Sequence, residues 1–340
     1  MGDSRPAAYP GLSKAGFFVD TIHPAVSPLY SILPLLLLLG AIPAQALERF
    51  DFSAPLMATT FRISVHADTK AQAEAAADAA FKRIAALNAV FSDYEPNSEL
   101  MQLCNTGPNK PFKASADLFT LISHSLEFAR LTEGALDITC GNLTHLWRRT
   151  KRTHKLPPAD RLQQALTATD WRAVQMDAKA RTITLLKPGM LLDLGGIAKG
   201  YAADAGLRVL REHGLTRALV MAGGDIAIGD PPPGEDAWEI KLRQFASAAP
   251  EEKLESVRLH NCGVSTSGDL YQFTEIDGVR YSHIVSPRTG LGLTERIACS
   301  VIAPNCMTSD ALDTAICVMG KERGLKMAAQ VKGVTVRFVE

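Results

Sequence analysis

The chain has 340 residues, is 46% hydrophobic, and carries 36 Lys and Arg against 36 Asp and Glu, so its formal charge is zero. No polybasic run is present, which argues against nucleic acid and anionic lipid as partners. The apolar fraction over this length supports a large core, in one large domain or two intertwined ones.

In chain order, residues 29–46 (LYSILPLLLLLGAIPAQA) come first. Their apolar core is roughly a dozen residues long and interrupted by Pro34, too short and broken for a good membrane helix. Ala44-Gln45-Ala46 is the small-x-small pattern of a signal peptidase site. The expectation is an export signal over 1–46, a functional domain over 47–340, and a periplasmic protein, with a retained anchor as the alternative. No Cys follows the apolar run, so a lipoprotein anchor is not expected. Removing this segment takes away Arg5, Lys14, Asp3 and Asp20 and leaves the balance at zero.

Residues 57–65 (MATTFRISV) alternate as a strand, and 71–91 form an Ala-rich helix whose apolar positions include Ala75, Ala79, Ile84, Leu87 and Val90. Residues 92–98 are a loop with one aromatic, Tyr94, either half-buried surface or a platform for a flat ring. A short helix restarts at Ser98. Ser115 caps a helix that runs to Thr132 and stops at Gly134. Asp137 in the following turn is a turn former or a holder of a polar ligand edge. The polar span 148–160 reads as a surface excursion, 162–168 as a helix, and 181–186 as a strand.

Residues 191–204 (LLDLGGIAKGYAAD) organise the chain. An apolar run from Met190 breaks at Gly195-Gly196 and passes into a helical pattern that Gly214 closes. A second apolar run, 218–221, ends in Gly223-Gly224-Asp225, so strand, glycine turn, helix and strand predict a right-handed crossover. A glycine pair at a helix start lets an anion approach free N–H groups. The spacing fits neither G-x-G-x-x-G nor a P-loop, because Lys199 precedes Gly200.

Residues 231–234 are a loop and 238–242 a strand. Three clusters close the chain: 263–269 (GVSTSGD), 281–290 (YSHIVSPRTG) and 308–315 (TSDALDTA). The last opens a helix, where Asp310 and Thr314 at i and i+4 share one face. Two hard oxygens suit Mg²⁺; an Asp that only answers the helix dipole is the alternative. Six cysteines without a C-x-x-C read mostly as small buried apolar residues.

Five segments in this order, DLGGIAKGYAAD (193–204), GGD (223–225), TSGD (266–269), SHIVSPRTG (282–290) and SDALDTA (309–315), resemble the ApbE family of flavin transferases. The resemblance covers 55–325. It implies a single α/β fold, mixed α+β in character with intertwined subdomains. It implies FAD as substrate, Mg²⁺ as cofactor, and transfer of FMN from FAD onto a Thr or Ser hydroxyl of a target flavoprotein, releasing AMP. The target implied is part of a respiratory or electron-transfer complex. By motif, Mg²⁺ takes the Gly196 carbonyl, Asp310 and Thr314. FAD is contacted by Met57, Tyr94, Ala135, Leu136, Asp137, Lys199 and Ile284.

Three positions depart from the family pattern: Leu136 in place of Phe, Ser286 in place of Asp, and Asp313 in place of a small residue. His283 is the imidazole within these motifs and the candidate general acid or base, or else a residue that orients its turn. Arg288 reaches phosphate or fixes the same turn. A hydrolase splitting FAD to FMN and AMP, and a flavin-binding assembly factor without chemistry, are the alternative functions.

Overall fold

The first element of the computed structural model, which describes residues 47–243, 254–268 and 272–338, is a hairpin. Strands β1 (Glu48–Leu56) and β2 (Thr59–Ala67) pair antiparallel from Glu48 opposite Ala67 to Leu56 opposite Thr59. Met57 and Ala58 join them with φ of 49° and 58°, the left-handed pair of a two-residue type I′ turn. Met57 is therefore a turn residue, and the strand expected from it starts two residues later. Phe61, Ile63 and Val65 of β2 point into the core, as the alternation requires.

Helix α1 (Lys70–Phe91) is capped by the Thr69 hydroxyl, which accepts from Gln72 N–H. It buries Ala73, Ala76, Ala77, Ala80, Ile84, Leu87 and Phe91, whereas Ala75 is exposed and Ala79 and Val90 lie at the rim. In so alanine-rich a helix several faces are apolar, and only the packing selects one.

Next come α2 (Glu99–Asn105), β3 (Phe112–Lys113) and α3 (Ala116–Leu131), with Ser98 and Ser115 as the N-caps of the two helices. Helix α4 (Gly141–Thr153) takes in the first six residues, 148–153, of the span expected to be a surface excursion. Leu143, Trp147 and Thr150 give it a buried stripe at helical spacing. Helix α5 (Ala159–Ala168) and the strands β4 (Val174–Asp177) and β5 (Thr182–Leu185) follow, the strands forming a small sheet with β3.

The apolar run 190–194 is not a strand of the main sheet. It makes one parallel bridge, Leu191 to Cys140, with Gly141 N–H on Leu191 O at 3.0 Å and Asp193 N–H on Ile138 O at 2.8 Å. Helix α6 (Ala198–Glu212) then leads to β6 (Ala218–Ala222) and β7 (Asp225–Ile228). The predicted crossover is thus absent, because its first strand is missing and β6 pairs antiparallel with β2 and β7. Gly214 does close α6, at φ 80°.

The chain continues through β8 (Trp238–Arg243), β9 (Leu254–Leu259), β10 (Cys262–Gly268), β11 (Phe273–Ile276), β12 (Val279–Ser282) and β13 (Ala298–Ala303). It ends in α7 (Cys306–Met319), α8 (Lys321–Ala328) and β14 (Thr335–Phe338). The main sheet has the order β1-β2-β6-β7-β10-β13-β14 with every pairing antiparallel. On one face α6 packs between α1 and α7. Hairpin β8–β9 covers part of the other, where Trp238, Ile240 and Val257 meet Leu219, Ile226 and Val264.

The result is the mixed α/β fold expected, with Gln45–Glu340 as one compact unit. The export signal expected over 1–46 lies outside the described residues. Among the described residues no helix is long and apolar enough to cross a membrane. All six cysteines are free thiols, and Cys299, Cys306 and Cys317 are buried.

Candidate active site

One end of the main sheet gathers most of the expected residues. The tight turn Met57–Ala58 and the turn Gly223–Gly224 lie there side by side, since Phe61 pairs with Ala222 and Thr59 Oγ1 sits against Gly223. Asp225 opens β7 directly after that turn. Lys199, in the first turn of α6, contacts Asp225 Oδ2 and stands 3.4 Å from Asp310 Oδ1. The other Asp310 oxygen accepts Gly200 N–H at 2.8 Å. Asp310 and Asp313, both on α7, are buried with Asp225.

Three carboxylates beside one ammonium in so small a buried volume would carry surplus negative charge if all were ionised. Burial raises Asp310, the neighbouring Asp225 charge adds to it, and the carboxyl is pushed up to about 7 even with Lys199 opposing. Asp313 is pushed well above the ordinary range by burial, then by the charges of Asp225 and Asp310. Burial works against the Lys199 ammonium, but Asp225 and Asp310 outweigh it and hold the charge firmly on.

The fit of a divalent cation can be tested on these atoms. Among the described residues no group of three or more His, Cys, Asp or Glu side chains is arranged as a metal site. The set at Gly196, Asp310 and Thr314 is instead mixed: one backbone carbonyl, one carboxylate and one hydroxyl. It consists of hard oxygens, as Mg²⁺ prefers. The Gly196 backbone lies beside Thr314, for a Cβ built there would be 3.6 Å from Thr314 Oγ1. Thr314 Oγ1 donates to Asp313 Oδ1 at 3.2 Å. A hard cation would offset the surplus charge, so these residues fit Mg²⁺.

The segment 134–141 runs alongside 191–193 and brings Ala135, Leu136 and Asp137 to the same place. A Cβ on Gly196 would be 3.4 Å from Leu136 Cδ1. Asp137 uses its carboxylate internally: Oδ1 accepts Thr139 N–H at 2.8 Å and Thr139 Oγ1 at 2.6 Å, and Oδ2 accepts Trp171 N–H at 3.2 Å. It shapes the turn that carries Ala135 and Leu136. Ile284 packs with Leu312 and Ile316 of α7, which seats the 282–290 turn on the helix of Asp310.

His283 precedes Ile284. Its Nδ1 lies 3.2 Å from Gln272 O, and its backbone N–H donates to the same carbonyl at 2.8 Å. A carbonyl only accepts, so the proton sits on Nδ1 and Nε2 is the basic nitrogen. Burial pulls this imidazole down to about 4, and the charges of Lys151 and Lys199 act in the same direction. Arg288 is exposed on the same turn, with its N–H on Ser286 Oγ at 3.3 Å.

Tyr94 is 63% exposed and reaches the site through a cluster that sequence reasoning missed. Arg148 Cζ lies 4.2 Å from the Tyr94 ring centroid. Its guanidinium binds Asp93 Oδ2 at 2.5 Å and Asp193 Oδ2 at 3.0 Å. Asp193 in turn holds Gly195 N–H at 2.7 Å. An Asp two residues before a glycine is a legible turn signal. Arg148 carries no such signal, since its partners are 55 and 45 residues away.

Residues 57–338 match the ApbE family. The FAD:protein FMN transferase of Vibrio cholerae is 30% identical over 306 residues, covering 88% of this chain and 90% of its own length. That of Treponema pallidum is 31% identical over 299 residues, covering 84% and 82%. Among solved structures, the flavin transferase ApbE from Vibrio cholerae superposes with a TM-score of 0.78 at 29% identity, covering 86% of this chain and 93% of that one.

Proposed function

Because the chain belongs to the ApbE family, we propose that it transfers FMN from FAD, with Mg²⁺ bound, onto a Thr or Ser hydroxyl of a target flavoprotein and releases AMP. It is an enzyme, a flavin transferase with FAD as substrate. The observation that carries the finer reading is the buried triplet Asp225, Asp310 and Asp313 around Lys199, beside Gly196 and Thr314. A further cation would let all three carboxylates ionise together, and a pyrophosphate is drawn to a cation.

The transfer forms one bond and breaks one. The acceptor hydroxyl oxygen bonds to the phosphorus of the FMN half, the P–O bond to the AMP half breaks, and AMP leaves with the bonding pair. The hydroxyl proton goes to His283 Nε2 and from there to water. Bound Mg²⁺, held by the Gly196 carbonyl, Asp310 and Thr314, supplies charge neutralisation at the phosphates. The protein's own work is positioning. Lys199 keeps Asp225 and Asp310 in place, Leu136 closes the side next to Gly196, and the open face of Tyr94 stacks on a flat ring of FAD.

The acceptor proposed is a flavoprotein of a respiratory or electron-transfer complex, met in the periplasm after export. Support for the location comes from the signal pattern over 1–46 alone. Incubating the protein with FAD, Mg²⁺ and an acceptor domain tests the whole reading. Flavin attached to the acceptor is expected. Free FMN and AMP without attachment would make the chain a hydrolase, and intact FAD would make it a binder.

A further inference from the structure

Three segments distant in sequence meet at one guanidinium. Asp93 comes from the loop after α1, Arg148 from the middle of α4, and Asp193 from the turn before α6. The two carboxylate side chains are only 8% and 10% exposed, so each requires a charged partner. Thr144 Oγ1 donates to Asp193 Oδ2 at 2.7 Å, and His145 Nε2 lies 3.3 Å from Asp93 Oδ2. Arg148 divides its two terminal nitrogens between the carboxylates and places its Cζ over the Tyr94 ring. One face of Tyr94 is thereby occupied, while the side chain as a whole stays largely exposed.

We propose that Arg148 is a positioning residue for flavin binding: it fixes the Tyr94 ring and the Gly195 turn relative to each other before FAD arrives. This rests on the flavin-transferase reading of the site. A loop tyrosine left free would have to be ordered on binding, and ordering one side chain typically costs about 0.5–1.5 kcal/mol. Stacked on a guanidinium that is itself tied at both ends, the ring is already in place. The same guanidinium reaches the Gly195 N–H through Asp193, so the stacking platform and the turn ahead of Lys199 share one anchor. Lysine cannot replace it, because a compact ammonium lacks the flat fork that serves two carboxylates and a ring at once.

The test is a double-mutant cycle on FAD affinity, read by quenching of flavin fluorescence. Arg148→Lys is expected to weaken FAD binding about tenfold, a shift that cation–π and ordering energies of this size produce. KM for FAD should rise while kcat changes by less than about threefold. In the Tyr94→Ala background, Arg148→Lys should add far less than tenfold, because the part of its role that acts through the ring is already gone. Asp93→Asn, which cuts only the loop half of the clasp, should behave the same way and stands in if Arg148→Lys unfolds. Additive losses in the cycle, or a fall in kcat at unchanged KM, would overturn the proposal. A wild-type protein that binds FAD and attaches no flavin would instead overturn the transferase reading while leaving the cycle interpretable.

Discussion

Asp310 accepts the backbone N–H of Gly200 at 2.8 Å, and the two residues meet so closely that a Cβ on Gly200 would stand 2.8 Å from Asp310 Cβ. The same Cβ would be 2.3 Å from the Cys306 carbonyl oxygen. Helices α6 and α7 therefore touch backbone to backbone at this point. The contact sets Lys199 and Asp310 within reach of each other, so the site depends on a missing methyl group.

Gly200→Ala tests that contact. Helix propensity alone favours alanine by about 1 kcal/mol. Overpacking against a backbone carbonyl costs typically 1–3 kcal/mol or more and wins here, because a carbonyl cannot rotate away. The expected outcome is a melting temperature several degrees lower together with lost FMN transfer. An unchanged melting temperature would mean that α6 and α7 can separate freely at Gly200.

Asp310→Asn keeps the volume and the acceptor for Gly200 N–H but removes a charge. In metal-free protein the melting temperature should hold or rise, since one of three crowded carboxylates is gone. The stabilisation that Mg²⁺ gives the wild type should vanish, because binding to the native state is the source of such shifts. Transfer should fall by about a hundredfold or more. A variant that Mg²⁺ still stabilises would reduce Asp310 to a packing residue.

Tyr94→Ala should weaken FAD binding by one to two decades, since stacking a base on an aromatic ring is worth about 1–3 kcal/mol. Tyr94→Phe keeps the ring and its contact with Arg148 and should lose little. Equal damage from both substitutions would show that the hydroxyl, not the ring, holds the ligand.

Local signals made much of this legible in the sequence. Ser98 and Ser115 cap helices because a hydroxyl ahead of an apolar repeat has a local N–H to accept, and both do so. The i, i+4 pair Asp310 and Thr314 fell on one helix, as spacing alone dictates. Tertiary choices were less visible. The turn at Met57–Ala58 contains neither Gly nor Asn, so nothing local announces its left-handed backbone. Strand β1 does carry a signal, the alternation Phe50, Phe52, Ala54 and Leu56, and Pro55 suits its place at the sheet edge. The run 190–194 is apolar enough for a strand yet spends its hydrogen bonds on the 138–141 segment. Arg148 was illegible because its meaning lies in two carboxylates and a ring brought from elsewhere.

His283 gives the sharpest pH prediction. The imidazole stays neutral down to about 4, so a base at Nε2 is already competent well below neutrality. If it takes the acceptor's proton, then at saturating Mg²⁺, which keeps Asp310 ionised, the rate should climb with pH through about 4 and lie flat from pH 6 to 8, not rise through the usual histidine range near 6.5. The stability sign follows from the same shift. Between about 4 and 6.5 the unfolded chain binds the extra proton and the native state does not, so stability from this group is lost as pH falls through that window. His283→Gln keeps a donor for the Gln272 carbonyl and removes the base. Turnover should drop by about 10²–10⁴ while FAD affinity shifts by less than tenfold. Joint loss of FAD binding and thermal stability in His283→Gln, with no change in the shape of the pH profile, would make His283 a turn-orienting residue. The buried carboxylate of Asp313, which is pushed well above the ordinary range, would then be the next group to examine for the proton.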